Sequence, residues 1–317
     1  MKQWLAGFDI GGTKCAAILG HMENEQISVL EKNVFPTADY PDPFACIEHF
    51  SGEMEKLLAK YPQVSPLAIG ISCGGPLDDK LGLIQSPPNL PDWDNIPVCR
   101  ILQERFHIPV NLCNDADACA VAEWKSGAGR GAENMVFLTF GTGMGAGLIL
   151  NGKLYRGACS MAGECGHIRL ADEGPVGYGK AGSFEGFCSG GGIAQLGRIY
   201  AGEHLPLSWC PTRDDLPGIT AKKIADAAYA GDPGAIAVFM ESGRRLGYGL
   251  SVLIDLLNPE RIVIGSIFQR CESLLRPGME AVLKLEALPE SRQACQILPS
   301  QLGDSIGDIA ALSIAVL

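Results

Sequence analysis

Residues 8–20, FDIGGTKCAAILG, place a carboxylate (Asp9), two glycines (Gly11, Gly12), a hydroxyl (Thr13) and an ammonium (Lys14) between two apolar runs. Successive N–H groups in a glycine turn form an anion-binding nest, and a neighbouring carboxylate suits a hard cation. A second glycine turn, GTGMGAG, spans 141–147. Its Gly141, Gly143 and Ala146 fit the dinucleotide fingerprint, but that fingerprint must open a helix. Here LILNGKLYRG follows, a strand and an Asn-Gly turn at 151–152, so Rossmann binding is disfavoured and the nest remains. Either hairpin taken alone reads first as a tight turn without a ligand. Aligning 8–20 with 140–152 matches Phe8 with Phe140, Gly11 with Gly143 and Gly20 with Gly152. Two hairpins of one design suggest a duplicated domain with a turn from each half facing a shared cleft.

CNDADACAVAEW, 113–124, follows a short apolar strand and begins a helix. Asn114 or Asp115 caps that helix, or Asp115 points into a cleft and accepts a proton from a substrate hydroxyl. AGECGHIRL, 162–170, brings Glu164 and His167 together, and Glu185 follows. Paired carboxylates and an imidazole among glycines suit the hydroxyls of a polyol, or are surface charges on a loop. SPPNLPDWDNIP, 86–97, is a polar, proline-rich loop of the kind that lines a site.

These groups need strands and helices to hold them. Strand patterns cover 4–10, 15–19, 27–34, 67–73, 110–113, 135–140, 147–150 and 261–264. Helix patterns cover 43–60, 98–106, 116–125, 220–230, 233–257, 277–285 and 305–316. Asp42 before Pro43 and Asp232 before Pro233 are helix-start signals. The alternation argues for an α/β protein, and 317 residues suggest two domains.

The composition agrees. Apolar residues make up 47% and charged residues 19%, with 40 glycines, as in a compact chain rich in tight turns. A formal charge of −11 argues against nucleic-acid or anionic-membrane partners, though not against a nucleotide. The twelve cysteines contain no CxxC pair and read as reduced thiols of a cytoplasmic protein. The uncharged run 135–152 is too glycine-rich for a membrane-spanning helix.

Together these segments resemble the ROK family (repressors, open reading frames and kinases) of the actin-like ATPase superfamily, over essentially the whole chain. DIGGTK resembles its first phosphate motif, NDADACAVAE its catalytic helix and GTGMGAGLILNGKLYRG its second phosphate motif. PNLPDWDNIP and GECGH are similar to its sugar loops, NPERIVIGSIF to its adenosine segment and GDSIGDIAALSIA to its closing helix.

The resemblance implies two ribonuclease-H-like domains, mixed sheets flanked by helices, with a central cleft. The small domain would cover 1–115, the large one 116–302, and 303–317 would return to the first. It implies ATP-dependent phosphorylation of a hexose such as glucose, most often at the 6-OH. N-acetylmannosamine, N-acetylglucosamine and fructose are alternative acceptors. Asp115 would be the general base, and Asp9 would hold Mg2+ through water. Gly11, Gly12, Thr13, Lys14, Gly141, Thr142 and Gly143 would cradle phosphates, with Gly265 in the adenosine segment. Gly75, Asn89, Asn114, Asp115, Glu164, His167 and Glu185 would contact sugar. A homodimer is the common assembly. The family's repressors carry a helix-turn-helix ahead of the phosphate motif, for which Asp9 leaves no room; a sugar-sensing regulator without its own DNA-binding domain is the alternative of another class.

Two departures stand out. The three cysteines that hold structural zinc with the histidine fall here on Val176, Tyr178 and Ser183. No structural zinc is expected, because histidine alone cannot make a tetrahedral site. Packing of Tyr178 and Phe184 is then expected to hold the loop. Ser266 stands where the adenosine segment more commonly has a second glycine.

Overall fold

A computed structural model describes residues 2–317. The chain opens with the meander β1 (Gln3–Ile10), β2 (Lys14–Glu23) and β3 (Gln26–Pro36). Then come α1 (Pro43–Lys60), β4 (Ile69–Cys73), the short pair β5 (Leu77–Asp78) and β6 (Leu83–Ile84), and α2 (Val98–Phe106). β7 (Val110–Asn114) and α3 (Asp115–Ser126) follow without a break. The first sheet has the order β3-β2-β1-β4-β7. β1, β4 and β7 are parallel, with Asp9 opposite Ser72 and Cys73 opposite Asn114.

The second half begins with β8 (Met135–Leu138) and the hairpin β9 (Ala146–Leu150) and β10 (Lys153–Tyr155). A ribbon, β11 (Val176–Gly177) and β12 (Lys180–Ala181), precedes α4 (Phe184–Phe187), α5 (Gly190–His204), α6 (Ala221–Tyr229) and α7 (Pro233–Leu257). β13 (Arg261–Ile264), α8 (Ile267–Glu286), α9 (Pro289–Ala294), β14 (Gln296–Pro299) and α10 (Ile306–Ile314) complete the chain. The second five-stranded sheet runs β10-β9-β8-β13-β14. Two mixed five-stranded sheets flanked by helices are the α/β architecture the sequence predicts. Among the described residues no helix is long and apolar enough to cross a membrane.

By internal contacts the chain divides into two units. Unit 1 is Met1–Gly131, Gly147–Ala162 and Gln301–Leu317; unit 2 is Ala132–Ala146 and Gly163–Ser300. In unit 1, α1 starts where the Asp42 carboxylate accepts the Ala45 N–H at 2.7 Å. It buries Cys46, Ile47, Phe50, Met54 and Leu57, a three-to-four spacing that joins Phe8, Phe35 and Trp93 in one core. α10 lies on a bed of strand glycines. A β-carbon on Gly70 would sit 2.0 Å from the Ala311 carbonyl oxygen, and one on Gly7 3.0 Å from the Ala311 Cβ. In unit 2, α7 starts at Asp232, whose carboxylate accepts the Gly234 and Ala235 N–H groups.

Several elements differ from the sequence reading. α8 begins ten residues before Pro277, with non-helical geometry at Cys271 (φ −125°, ψ 23°), so the proline lies inside the helix instead of starting it. α5 is built on three leading glycines that periodicity does not mark as helical. The sequence reading also lacks β14, the two-residue strands β5, β6, β11 and β12, and the short helices α4 and α9.

Candidate active site

The site residues of unit 1 gather at the carboxyl ends of β1, β4 and β7, the edge where open α/β sheets bind ligands. The Gly11 N–H donates to the Lys14 carbonyl at 3.2 Å and closes the first turn. From β3's end, Thr37 holds that turn from below: its hydroxyl donates to the Gly11 carbonyl at 2.6 Å, and its N–H to the Thr13 carbonyl at 3.1 Å. Gly12, Thr13 and Lys14 are left exposed. A β-carbon on Gly12 would lie 2.5 Å from the Asn89 carbonyl oxygen, so the proline-rich loop rests on the turn. The Asn89 side chain also faces Gly74, and the Asn114 amide faces Gly75 across 3.2 Å to a built β-carbon. Gly12, Gly75, Asn89, Asn114 and Asp115 are thereby neighbours along one edge.

Asn114 takes the cap position of α3, with φ −61° and ψ 147°, and its Oδ1 accepts the Ala116 N–H at 2.9 Å. Asp115 accepts the same N–H at 2.8 Å, but the helix start does not depend on it. Its side chain stays open to solvent while protein crowds around it. That desolvation pushes its carboxyl above the usual range, partly opposed by the Ala116 N–H. The far end of α3 is fixed by the buried Glu123, which accepts the N–H groups of Ala128, Gln301 and Leu302 at 2.7–3.0 Å.

Asp9 sits on the same edge. Burial, then the charges of Asp308 and Asp115, push its carboxyl up to about 6, against the pull of Lys14 and Lys32. Gly307 lets the first turn of α10 approach: a β-carbon there would be 3.1 Å from the Asp9 Oδ2. Asp308 itself pairs with Lys32 at 2.6 Å. Sequence reasoning missed Asp308, Lys32 and Thr37; the glycine before Asp308 in GDSIGD was the one local signal.

In unit 2 the second turn is closed by the Gly141 N–H on the Gly143 carbonyl at 3.1 Å and by the Thr139 N–H on the Gly145 carbonyl at 3.0 Å. Thr142 is exposed at its tip. Glu185 is turned onto this turn: its Oε2 accepts the Met144 N–H at 2.9 Å, and a β-carbon on Gly143 would lie 2.8 Å from that oxygen. Gly163 and Gly166 press against the carbonyls of Ala146 and Met144, which seats Glu164 and His167, both exposed, beside the turn. The Gly265 N–H donates to the Leu138 carbonyl at 3.0 Å, and Ser266 next to it adopts φ 52°, ψ −107°.

The loop that carries His167 and Glu185 is held by hydrogen bonds. The buried Ser183 hydroxyl accepts the Gly186 N–H at 3.0 Å. Gln195 on α5 grips Val176 twice, accepting its N–H and donating to its carbonyl, both at 2.9 Å. Arg169 donates to the Ala181 carbonyl at 3.0 Å. Phe184 is buried as expected, but Tyr178 is 75% exposed: it stands at the outer tip of the ribbon and meets the His167 ring edge to face instead of filling the loop's interior. Among the described residues no group of three or more His, Cys, Asp or Glu side chains is placed to hold a metal ion.

Comparison with known proteins identifies the family of the chain. The chain is 31% identical over 312 residues to a glucokinase of Halalkalibacterium halodurans, covering 97% of this chain and 93% of that one. It is also 31% identical over 219 residues to a xylose repressor of Caldicellulosiruptor bescii, covering 67% of this chain and 54% of the repressor. A ROK family glucokinase from Streptomyces griseus, solved in complex with glucose and AMPPNP, superposes with a TM-score of 0.76 at 28% identity, covering 100% of this chain and 99% of that one. A sequence model of the ROK family matches residues 5–316. The chain belongs to the ROK family.

Proposed function

We propose that the chain is an ATP-dependent sugar kinase that transfers the γ-phosphoryl group to a hydroxyl of a hexose, with the 6-OH of glucose as first choice. Family membership and the glucokinase relative support the class. The observation that carries the reading is Asp115: a solvent-reachable carboxylate of raised pKa on the strand edge that also bears Asp9 and the Gly11–Lys14 turn. A base of raised pKa takes an alcohol proton more readily than an ordinary carboxylate.

Asp115 accepts the hydroxyl proton as the sugar oxygen bonds to the γ-phosphorus and the bond to the β-phosphate oxygen breaks, releasing ADP. Gly75, Asn89, Asn114, Glu164, His167 and Glu185 offer donors and acceptors to the other sugar hydroxyls. Gly11 and Gly141 close the two turns, Gly12, Thr13, Lys14, Thr142 and Gly143 offer backbone N–H groups, hydroxyls and an ammonium to phosphate oxygens, and Gly265 leaves room for the adenosine. Asp9 fits Mg2+ through water, since its crowding by Asp308 and Asp115 is the environment a divalent cation relieves. When bound, the ion offsets phosphate charge; phosphoryl transfer asks the protein mainly for positioning and charge stabilisation.

An ADP-release assay against glucose, fructose, mannose, N-acetylmannosamine and N-acetylglucosamine tests the reaction and ranks the acceptors. Asp115→Asn should keep the fold and sugar binding while turnover drops by roughly 10²–10⁴. Near-normal turnover would remove Asp115 from its role. The xylose repressor relative supports one other reading, a sugar-sensing regulator. Sugar binding without ADP release from any acceptor would favour it.

A further inference from the structure

Tyr178 is out of place by every local rule. It is the first of two residues joining β11 to β12, with φ 43°, and Gly179 follows with φ 75°. Two positive φ values make a turn of the type that Asn, Asp and Gly favour, and an aromatic side chain there is strained. The ring is 75% exposed, so burial does not offset that strain. Nor does the ribbon need it, because Gln195, Arg169 and Ser183 already hold the ribbon and its flanks. Persistent strain without a structural return points to function.

The ring is nonetheless directed. It meets the imidazole of His167 edge to face, with centroids 6.4 Å apart and planes at 80°. Lys180, at the other end of the same turn, donates from Nζ to the His167 carbonyl at 2.7 Å. The turn and His167 are therefore one unit, with the exposed Glu164 three residues away. An imidazole and a carboxylate can bind hydroxyls, but a pyranose also has faces of C–H groups that polar side chains leave unmatched. The negative face of an aromatic ring matches them.

We propose that Tyr178 is a sugar-contact residue whose ring forms an apolar wall for the C–H face of a hexopyranose, beside His167. This rests on the sugar-kinase reading and extends it to a residue the family pattern assigns elsewhere. The test uses the full-length protein with Tyr178→Phe, Tyr178→Ala and Tyr178→Asn. It reads the sugar Kd by calorimetry, turnover by ADP release and the melting temperature.

An aromatic contact of this kind predicts a sugar Kd weakened about 3- to 10-fold in the Ala and Asn variants. Tyr178→Phe keeps the wild-type Kd, and the KM for ATP stays put in all three. Tyr178→Asn, which relieves the turn, melts about 1–3 °C higher. Higher stability with weaker sugar binding cannot come from a loosened loop. An unchanged sugar Kd in Tyr178→Ala overturns the proposal, and so does a Phe variant as weak as Ala. Sugar binding without turnover in the wild type sinks the kinase reading while leaving the Tyr178 comparison intact.

Discussion

Replacing Asp9 by Asn should make the ligand-free protein more stable and its catalysis worse. The Asp9 carboxyl is pushed from its ordinary 3.8 up to about 6 by burial and by Asp308 and Asp115. A raised carboxyl pKa means the folded state holds its proton longer than the unfolded chain. Below pH 3.8 both states are protonated and nothing is lost. Between pH 3.8 and about 6 the unfolded chain releases the proton first, so stability falls as pH rises, and above 6 the loss is complete. The 2.2-unit difference between those values, at 1.36 kcal/mol per unit, gives about 3 kcal/mol. Asp9 keeps some solvent contact, which screens the effect, so about 1–3 kcal/mol is the expected size.

The assay is thermal melting of the wild type and Asp9→Asn without ligands, from pH 4 to 8. At pH 4 the two should coincide. By pH 7.5 the variant should melt about 2–4 °C higher, taking about 2.1 cal/mol/K per residue for the entropy of unfolding. Its turnover should be lower by at least about tenfold, the loss of one charge-positioning group. A variant that melts below the wild type at pH 7.5, or that follows it in parallel across pH 4–6, would refute the reasoning.

Gly70→Ala should cost about 2–4 kcal/mol, because the new methyl would meet the Ala311 carbonyl 2.0 Å away and lift α10 off its bed; an unchanged melting curve would count against that packing. Ser266→Gly should raise stability by about 0.5–2 kcal/mol, since φ 52° with ψ −107° is glycine territory. Chemical denaturation would detect that gain, and a lower midpoint would mean the serine side chain does more than the backbone loses.

The legible parts of this molecule were those set by local chemistry. Asp42-Pro43 and Asp232-Pro233 fixed the starts of α1 and α7 to the residue, because a cap and its proline act within one turn. The Asn-Gly pair fixed the β9–β10 turn, where Asn151 and Gly152 have φ 52° and 68°. Pro277 misled for a non-local reason: packing against α7 carries the helix through it, and a β-carbon on Gly278 would lie 2.4 Å from the Met240 carbonyl. In the site, Asp9 and Asp115 were readable because glycine turns and a strand-to-helix junction are short patterns. Asp308, nearly 300 residues from Asp9, was not. Neither was Gln195, whose grip on Val176 exists only once α5 has folded beside the ribbon.

The charges around Asp9 also say how the nucleotide must arrive under the kinase reading. Asp9, Asp115 and Asp308 set three negative charges against the two positive charges of Lys14 and Lys32, leaving one negative charge before a nucleotide with several more approaches. With Lys14 already counted in that balance, the neutral N–H groups and hydroxyls of the two turns must overcome the repulsion unless a divalent cation comes with the phosphates. ATP should therefore bind at least about tenfold more weakly in chelator than with Mg2+, since one uncompensated charge pair about 4 Å apart near a protein surface is worth about 1–4 kcal/mol. Asp9→Asn should narrow that gap from both sides: it removes one repelling charge and one partner for the hydrated ion. Calorimetric titration of both proteins with and without Mg2+ measures the two gaps. Equal ATP affinity in chelator for the wild type would mean that the carboxylate cluster does not face the phosphates, and Asp9 would lose the role assigned to it.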